Sequence, residues 1–372
     1  MFFKDIIGQD NLKQQLISSA RKEVIPHAQL FCGKAGYGTF PLTFAYARYL
    51  NCTDRSDTDA CGKCSSCLKY NELVHPDLHF IFPIASEGTK KTISDDFLPE
   101  WRAFLATRLY FDLDRWLNEI NATKQAVIYS KESDEIIHKV SLKIYEAAFR
   151  ILLIWMPERM HPTCANKLLK VIEEPPQNTI ILMVSENPDR ILGTILSRSQ
   201  RINVKPIDTD VLAQHIMSQY GKDEMAAQQI AHIAHGDYLQ MIDFIHMSEE
   251  NEFFLQQFMG MMRNAWAKNV KGMKAFAEDM APLGRERQRN FLAYCQHLVR
   301  ENFMYKFQAS ELTYMNQAEA TFSSKFAPYI NERNVFGFIE ELTEADRHIA
   351  QNGNVKMIFF DLALRITVLL QK

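Results

Sequence analysis

The sequence predicts an α/β domain followed by all-α regions. Two observations carry this: short apolar runs of strand length alternate with helical segments as far as about residue 205, and beyond Val204 apolar residues recur at helical spacing with no strand signal. A chain of 372 residues with 47% hydrophobic composition is long enough for two or three domains, each with its own core.

The first strand is Gln29–Cys32. A glycine-rich turn follows, then a helix over Pro41–Leu50, where proline is tolerated because its missing N–H would have had no intrahelical partner. Leu78–Phe82, Ile151–Trp155 and Ile180–Val184 are further strands, apolar throughout as expected for a mostly parallel sheet with helices on both faces. A helix over Pro162–Glu174 precedes the last of them, and Pro175 ends it by disfavouring helical geometry in the residue before. Pro206 opens the helical remainder: short helices over Asp208–Met247, interrupted at Gly236, then long stretches from Ser248 to Lys372 that include Phe338–Ile349 and Val355–Leu370. Their apolar stripes read as the core-facing surfaces of a bundle. The expected regions are therefore 1–205, 206–247 and 248–372.

A net charge of −3 lacks the basic footprint of a protein that grips nucleic acid by itself. No N-terminal stretch has the form of a secretory leader and no apolar run reaches membrane-span length, so a soluble, cytoplasmic protein is expected.

Gly33-Lys34-Ala35-Gly36-Tyr37-Gly38-Thr39-Phe40 has the outline of a phosphate-binding loop. That loop needs lysine and then a hydroxyl residue after its last glycine, the first to neutralise phosphate and the second to hold magnesium. Thr39 and Phe40 stand there instead. Lys34 is at the strand end of the loop and would have to reach around it. An ordinary glycine-rich turn is the plainer reading of these eight residues.

Cys52, Cys61, Cys64 and Cys67 give the spacing C-x8-C-x2-C-x2-C. In a reducing compartment such clustering favours a metal over disulfides, and four thiolates make a closed tetrahedral zinc site. A redox C-x-x-C pair is the competing reading. Cys32, Cys164 and Cys295 are isolated and read as small core residues.

Ile7-Gly8-Gln9, His27-Ala-Gln-Leu-Phe31 before the glycine loop, the cysteine insert after its helix, Asn166-Lys-Leu-Leu-Lys-Val-Ile-Glu-Glu-Pro-Pro176 and Ser197-Arg198-Ser199 occur in this order. The combination resembles the bacterial clamp-loader ATPases of the AAA+ family, by motif over roughly residues 1–245 and by length and helical character beyond. The resemblance implies a P-loop-type sheet domain, a small helical lid and a C-terminal helical collar. It also places Trp155 and Met156 at the Walker B acidic positions and Leu239 at the sensor arginine of the lid. Neither Trp155 nor Met156 can bind a metal, and Glu158 is the nearest carboxylate. ATP is therefore not expected in this chain's own site.

By the same resemblance, Arg198, with Ser197 and Ser199 as motif neighbours, is an arginine finger directed at ATP held by a neighbouring subunit. A planar guanidinium suits that task because it forms paired hydrogen bonds to phosphate oxygens. A surface salt bridge is the blander reading. The implied assembly contains gamma or tau ATPase subunits and a delta subunit, acts on the sliding clamp and primer–template DNA, and uses this chain as a non-hydrolysing stator. An active gamma/tau-type ATPase and a stand-alone zinc-dependent nucleic-acid module are the rival readings.

The chain is longer around 85–130 than a compact family member requires. The segments Ser94–Trp101 and Tyr110–Trp116 contain exposed-looking aromatics, and Trp101, Phe104 and Leu105, then Trp116 and Leu117, are spaced to pack one helix on another. An elaboration on the sheet edge is expected, with a partner-binding surface as the alternative.

Overall fold

A computed structural model describes residues 1–85, 92–122, 124–305 and 317–371. It divides into two compact units, Met1–Phe244 and Ile245–Lys372.

The first unit is built on five parallel strands: β1 Ala28–Cys32, β2 Leu78–Ile81, β3 Arg150–Trp155, β4 Thr179–Ser185 and β5 Gln200–Asn203, in the order β2-β3-β4-β1-β5. Four were expected from their apolar runs. β5 was not, because an edge strand reading Gln-Arg-Ile-Asn with only Ile202 partly buried has no apolar pattern to detect.

Side chains of a strand alternate between faces, and β3 shows what each face holds. Ile151, Leu153 and Trp155 point into a core containing the helix α2 (Thr39–Asn51), of which every residue is buried. Leu152 and Ile154 point into a second core with α6 (Ser130–Ser141) and α7 (Pro162–Glu173). Asp77, just before β2, accepts hydrogen bonds from the backbone N–H groups of Tyr145, Glu146 and Ala147 at 2.7–2.9 Å, fixing the approach to β3.

The region around 85–130 supplies α4 (Leu98–Thr107) and α5 (Leu113–Glu119). Residues 86–91 and 123 of it lie outside the described residues. Its aromatics are not exposed: Trp101, Phe104 and Trp116 are each 0% accessible. Trp101 stacks on Phe82 at the end of the edge strand β2, with ring centroids 4.2 Å apart. The expected elaboration on the sheet edge, with one helix packed on the other, is what the structure shows, Trp101 and Trp116 meeting with ring centroids 4.9 Å apart. Only the exposed look of these aromatics is corrected, because a tryptophan among Asp, Glu and Pro looks surface-like until the sheet that covers it is in place.

Two further helices, α9 (Thr209–Tyr220) and α10 (Glu224–Ile233), belong to the same compact unit as the sheet. Asp208 and Asp223 cap their N-termini by accepting from Asp210 and Ala226 N–H, and Gly221 ends α9 in the left-handed conformation. The unit boundary falls inside α11 (Tyr238–Trp266).

The second unit is helical throughout its described residues. α12 (Val270–Met280), α13 (Arg285–Tyr305), α14 (Gln317–Phe326), α15 (Val335–Ala350) and α16 (Val355–Leu369) enclose a core that includes Phe258, Phe276, Phe291, Phe338 and Phe359. Among the described residues, no helix is long and apolar enough to cross a membrane.

Candidate functional site

The glycine loop joins β1 to α2. Gly38 sits at φ +84°, a conformation that glycine adopts without steric cost, and lets the chain turn into α2. Gly36 is needed for a different reason: a Cβ there would lie 1.7 Å from Oδ1 of Asp237.

Several of the loop's donors are engaged within the protein. Gly33 N–H donates to Ser185 O, Tyr37 N–H to Lys34 O and Gly38 N–H to Ala35 O, each at 3.1 Å. Thr39, 1% exposed, donates its hydroxyl to Lys34 O at 3.0 Å. Lys34 is exposed and holds its ammonium 5.9 Å from the centre of the Tyr37 ring.

Phe40 stands where the loop would hold magnesium, and Trp155 at the expected acidic position on β3. Their rings meet edge to face with centroids 6.3 Å apart. Phe111 packs on both, at 4.8 Å from Phe40 and 5.2 Å from Trp155, and Trp101 completes the group. Phe40 and Trp155 are 3% and 2% exposed, so this volume is dry and apolar. Met156 is buried in the left-handed conformation, at φ 57°, with its N–H donating to Val184 O.

Three carboxylates, Glu158, Glu186 and Asp237, lie close to the loop. Glu158 Oε1 accepts from the N–H groups of Glu186 and Asn187 at 3.0 and 3.1 Å, so it serves to hold the turn after β4. Burial, and next the charge of Glu158, push Glu186 up to about 7. Asp237 is buried and caps α11 by accepting from Leu239 and Gln240 N–H. Leu239, at the position where the resemblance leads one to expect the sensor arginine, is 8% exposed and offers no charge.

Arg198 follows the short helix α8 (Gly193–Leu196). Its side chain is 35% exposed and lies against Glu173 near the end of α7: Nη2 donates to Oε1 and Nε is 3.3 Å from Oε2. The Nε contact has ion-pair distance without hydrogen-bond alignment. Nη1 donates to Thr194 O at 3.1 Å. Ser197 and Ser199 bond back to the carbonyls of Thr194 and Ile195, holding the turn that carries the arginine.

The four clustered cysteines converge at the start of α3 (Ser65–Asn71), with all sulfur atoms within 4.8 Å of one another. Zn–S bonds of about 2.3 Å in a tetrahedron place sulfurs roughly 3.8 Å apart, so the donor set fits a tetrathiolate zinc site after little contraction. Backbone N–H groups already point at the sulfurs: Cys61 N–H at Cys52, Lys63 and Cys64 N–H at Cys61, and Cys67 N–H at Cys64. Such bonds stabilise thiolate. The buried Arg48 donates to Cys67 O at 3.0 Å and to Met1 O at 2.9 Å, tying the module to the chain's first residue. Cys32, Cys164 and Cys295 are buried singly, as expected.

Tyr110, Phe111, Glu186 and Asp237 also lie around the loop, where no reading of the sequence placed them. Their nearness to it depends on contacts across 70 or more residues, as the hydrogen bond from Ile7 N–H to the Tyr110 hydroxyl shows. Only the Tyr110–Phe111 pair, adjacent aromatics beside an acidic helix start, offered any signal.

A family model described as "DNA polymerase III, delta subunit" matches residues 8–208, more than half of the chain. The chain is similar to DNA polymerase III subunit delta' of Bacillus subtilis, 24% identical over 59% of this chain and 54% of that protein. It is also similar to DNA polymerase III subunit tau/gamma of Haemophilus influenzae, 24% identical over 58% of this chain and 25% of that one. The match thus spans about half the length of the first relative and a quarter of the second. A solved DNA clamp loader delta protein of Bacillus subtilis superposes with a TM-score of 0.38 at 10% identity, over 97% of this chain and 100% of that one.

Proposed function

The chain belongs to the DNA polymerase III, delta subunit family, and on that premise we propose that it is the delta-prime stator of a clamp loader. It binds no ATP of its own and lends Arg198 to the ATP site of a neighbouring gamma or tau subunit.

One contrast within the chain carries this reading. Phe40 and Trp155 fill the metal side of its own loop with a dry aromatic pair, whereas Arg198 stays partly exposed on a turn braced by two serines. The fork of Arg198 already lies along a carboxylate, and the same geometry suits two oxygens of a phosphate. During phosphoryl transfer, charge spreads over the equatorial oxygens, and a guanidinium brought to them stabilises it; a finger given in trans is worth about 10³–10⁵ in rate. Exchanging Glu173, 53% exposed, for phosphate costs little because surface ion pairs are weak.

In this reading the four-cysteine module holds structural zinc, the helices over 206–247 form the lid, and residues 248–372 join a collar with the other subunits. The sliding clamp and primer–template DNA are met through the assembled loader, in the cytoplasm. The neutral-to-acidic charge balance agrees with a protein that does not hold DNA alone.

The test is reconstitution with the candidate ATPase, delta subunit, clamp and primed DNA. The isolated chain is expected to hydrolyse no ATP, and Arg198→Ala to remove the DNA- and clamp-stimulated hydrolysis of one interface while the complex stays assembled. Unchanged hydrolysis in an intact mutant complex removes the finger role. Hydrolysis by the wild-type chain alone identifies it instead as a gamma/tau-type ATPase.

A further inference from the structure

The segment that starts α5 lies across the glycine loop. Tyr110 is 6% exposed and Phe111 is 2% exposed, although both come from a connection between two short helices. The Tyr110 hydroxyl accepts the Ile7 N–H at 2.9 Å, and its ring stacks on Tyr238, the first residue of α11, with centroids 4.3 Å apart. The same ring covers Gly38: a Cβ on that glycine would meet Tyr110 Cε1 at 3.1 Å. Phe111 fills the next position, wedged between Phe40 and Trp155. Arg115 then reaches Asp243 on α11 at 2.7 Å.

A phosphorylated ligand of such a loop must lie over its last glycine and the two residues after it, because those residues supply the backbone cradle and the metal ligand. Here Tyr110 and Phe111 take that space. They also do what a ligand between two structural parts does: one end bonds the N-terminal segment, the other stacks on α11. A ligand that contacts both parts holds them in one arrangement, and one built into the chain does so at every nucleotide concentration.

We propose that residues 110–115 are an internal ligand of the degenerate loop, occupying the nucleotide position and locking the start of α11 to it without any bound nucleotide. The inference rests on reading Gly33–Phe40 as a phosphate loop that has lost its chemistry. It adds that restoring the lost residues is insufficient, because the space itself is taken.

The experiment uses the full chain and Mg·ATP in equilibrium dialysis. Thr39→Lys with Phe40→Ser returns the loop residues, and the same pair is combined with Tyr110→Ala and Phe111→Ala. The chain with all four substitutions is expected to bind Mg·ATP at least about tenfold more tightly than the loop-restored chain. Equal affinity of the two, measurable or nil, overturns the proposal.

Should the fourfold variant fail to fold, amide exchange of Tyr110→Phe decides. Loss of one hydrogen bond is expected to speed exchange of the Ile7 N–H about fivefold while Leu30 and Leu182 in the sheet stay unchanged. An unchanged Ile7 rate overturns the proposal. Added Mg·ATP is expected to leave wild-type exchange at Ile7 and Tyr238 as it was; slowing there also overturns it. None of these outcomes touches the Arg198 assay, so failure of the internal ligand and failure of the finger are distinguishable.

Discussion

Phe40 and Trp155 stand 6.3 Å apart, centroid to centroid, with their planes inclined by 77°. This edge-to-face arrangement is the favourable one for aromatic rings. The two positions that the sequence reading expects at the magnesium side of a phosphate loop are thus joined here by dispersion and burial. The two aromatic side chains are one packing solution, since a polar group at either position would be left without partners beside the other's ring.

Truncating this pair has a large cost. Phe40→Ala is expected to destabilise the first unit by about 3–5 kcal/mol, the range for emptying a buried phenylalanine site. Trp155→Asp is expected to cost at least as much, because the carboxylate enters an apolar cluster. Urea unfolding followed by tryptophan fluorescence measures both. A loss for Phe40→Ala well under 1 kcal/mol would show that the cluster is loosely packed.

Arg198 separates charge from geometry. Arg198→Lys keeps the positive charge but loses the planar fork, and is expected to lower single-turnover hydrolysis at its interface by roughly 10²-fold or more in the reconstituted loader. Glu173→Gln removes a surface partner and is expected to change stability by less than about 1 kcal/mol. If lysine supports full hydrolysis, paired hydrogen bonding to phosphate is not what Arg198 contributes.

Chelator-free protein is expected to carry about one equivalent of zinc, bound by Cys52, Cys61, Cys64 and Cys67. Cys61→Ser is expected to release it and to make residues 52–71 sensitive to protease, while the sheet stays folded. Metal analysis with thiol titration is the measurement. Less than half an equivalent, with all thiols free, would rule out the closed site.

Glu132 gives a pH dependence of known sign. It is 1% exposed, accepts Ser94 N–H at 2.7 Å through Oε2, and is pushed by burial up to about 7, against a smaller downward pull from that hydrogen bond and Lys139. The folded state therefore holds this proton more tightly than the unfolded chain does. Its favourable contribution is complete below the unfolded pKa of 4.5 and is lost as pH rises through about 7. Glu132→Gln keeps an acceptor without the charge, so its stability relative to wild type is expected to rise between those limits by on the order of 1–3 kcal/mol. Denaturant titrations across that range measure it, and a flat difference would mean that the carboxyl ionises without penalty.

The sequence was most informative where the signal is local. The four apolar strands, the proline stop before Thr179 and the spacing of the cysteines are short-range patterns. They reflect constraints on neighbouring residues and survive without a template. β5 escaped because an edge strand needs few apolar side chains, and the full burial of Trp101 and Trp116 was not legible because nothing near them in sequence shows what covers them.

By itself, the sequence determined the α/β class with its helical remainder and the cysteine donor set, and it raised the expectation of a phosphate-type loop without lysine, hydroxyl or acid at its chemical positions. Only the tertiary structure decided what stands there instead. The contacts of Phe40 with Trp155, of Ile7 with Tyr110 and of Gly36 with Asp237 join residues more than a hundred positions apart. Their geometry is set by close packing of whole elements, which no local pattern of residues encodes.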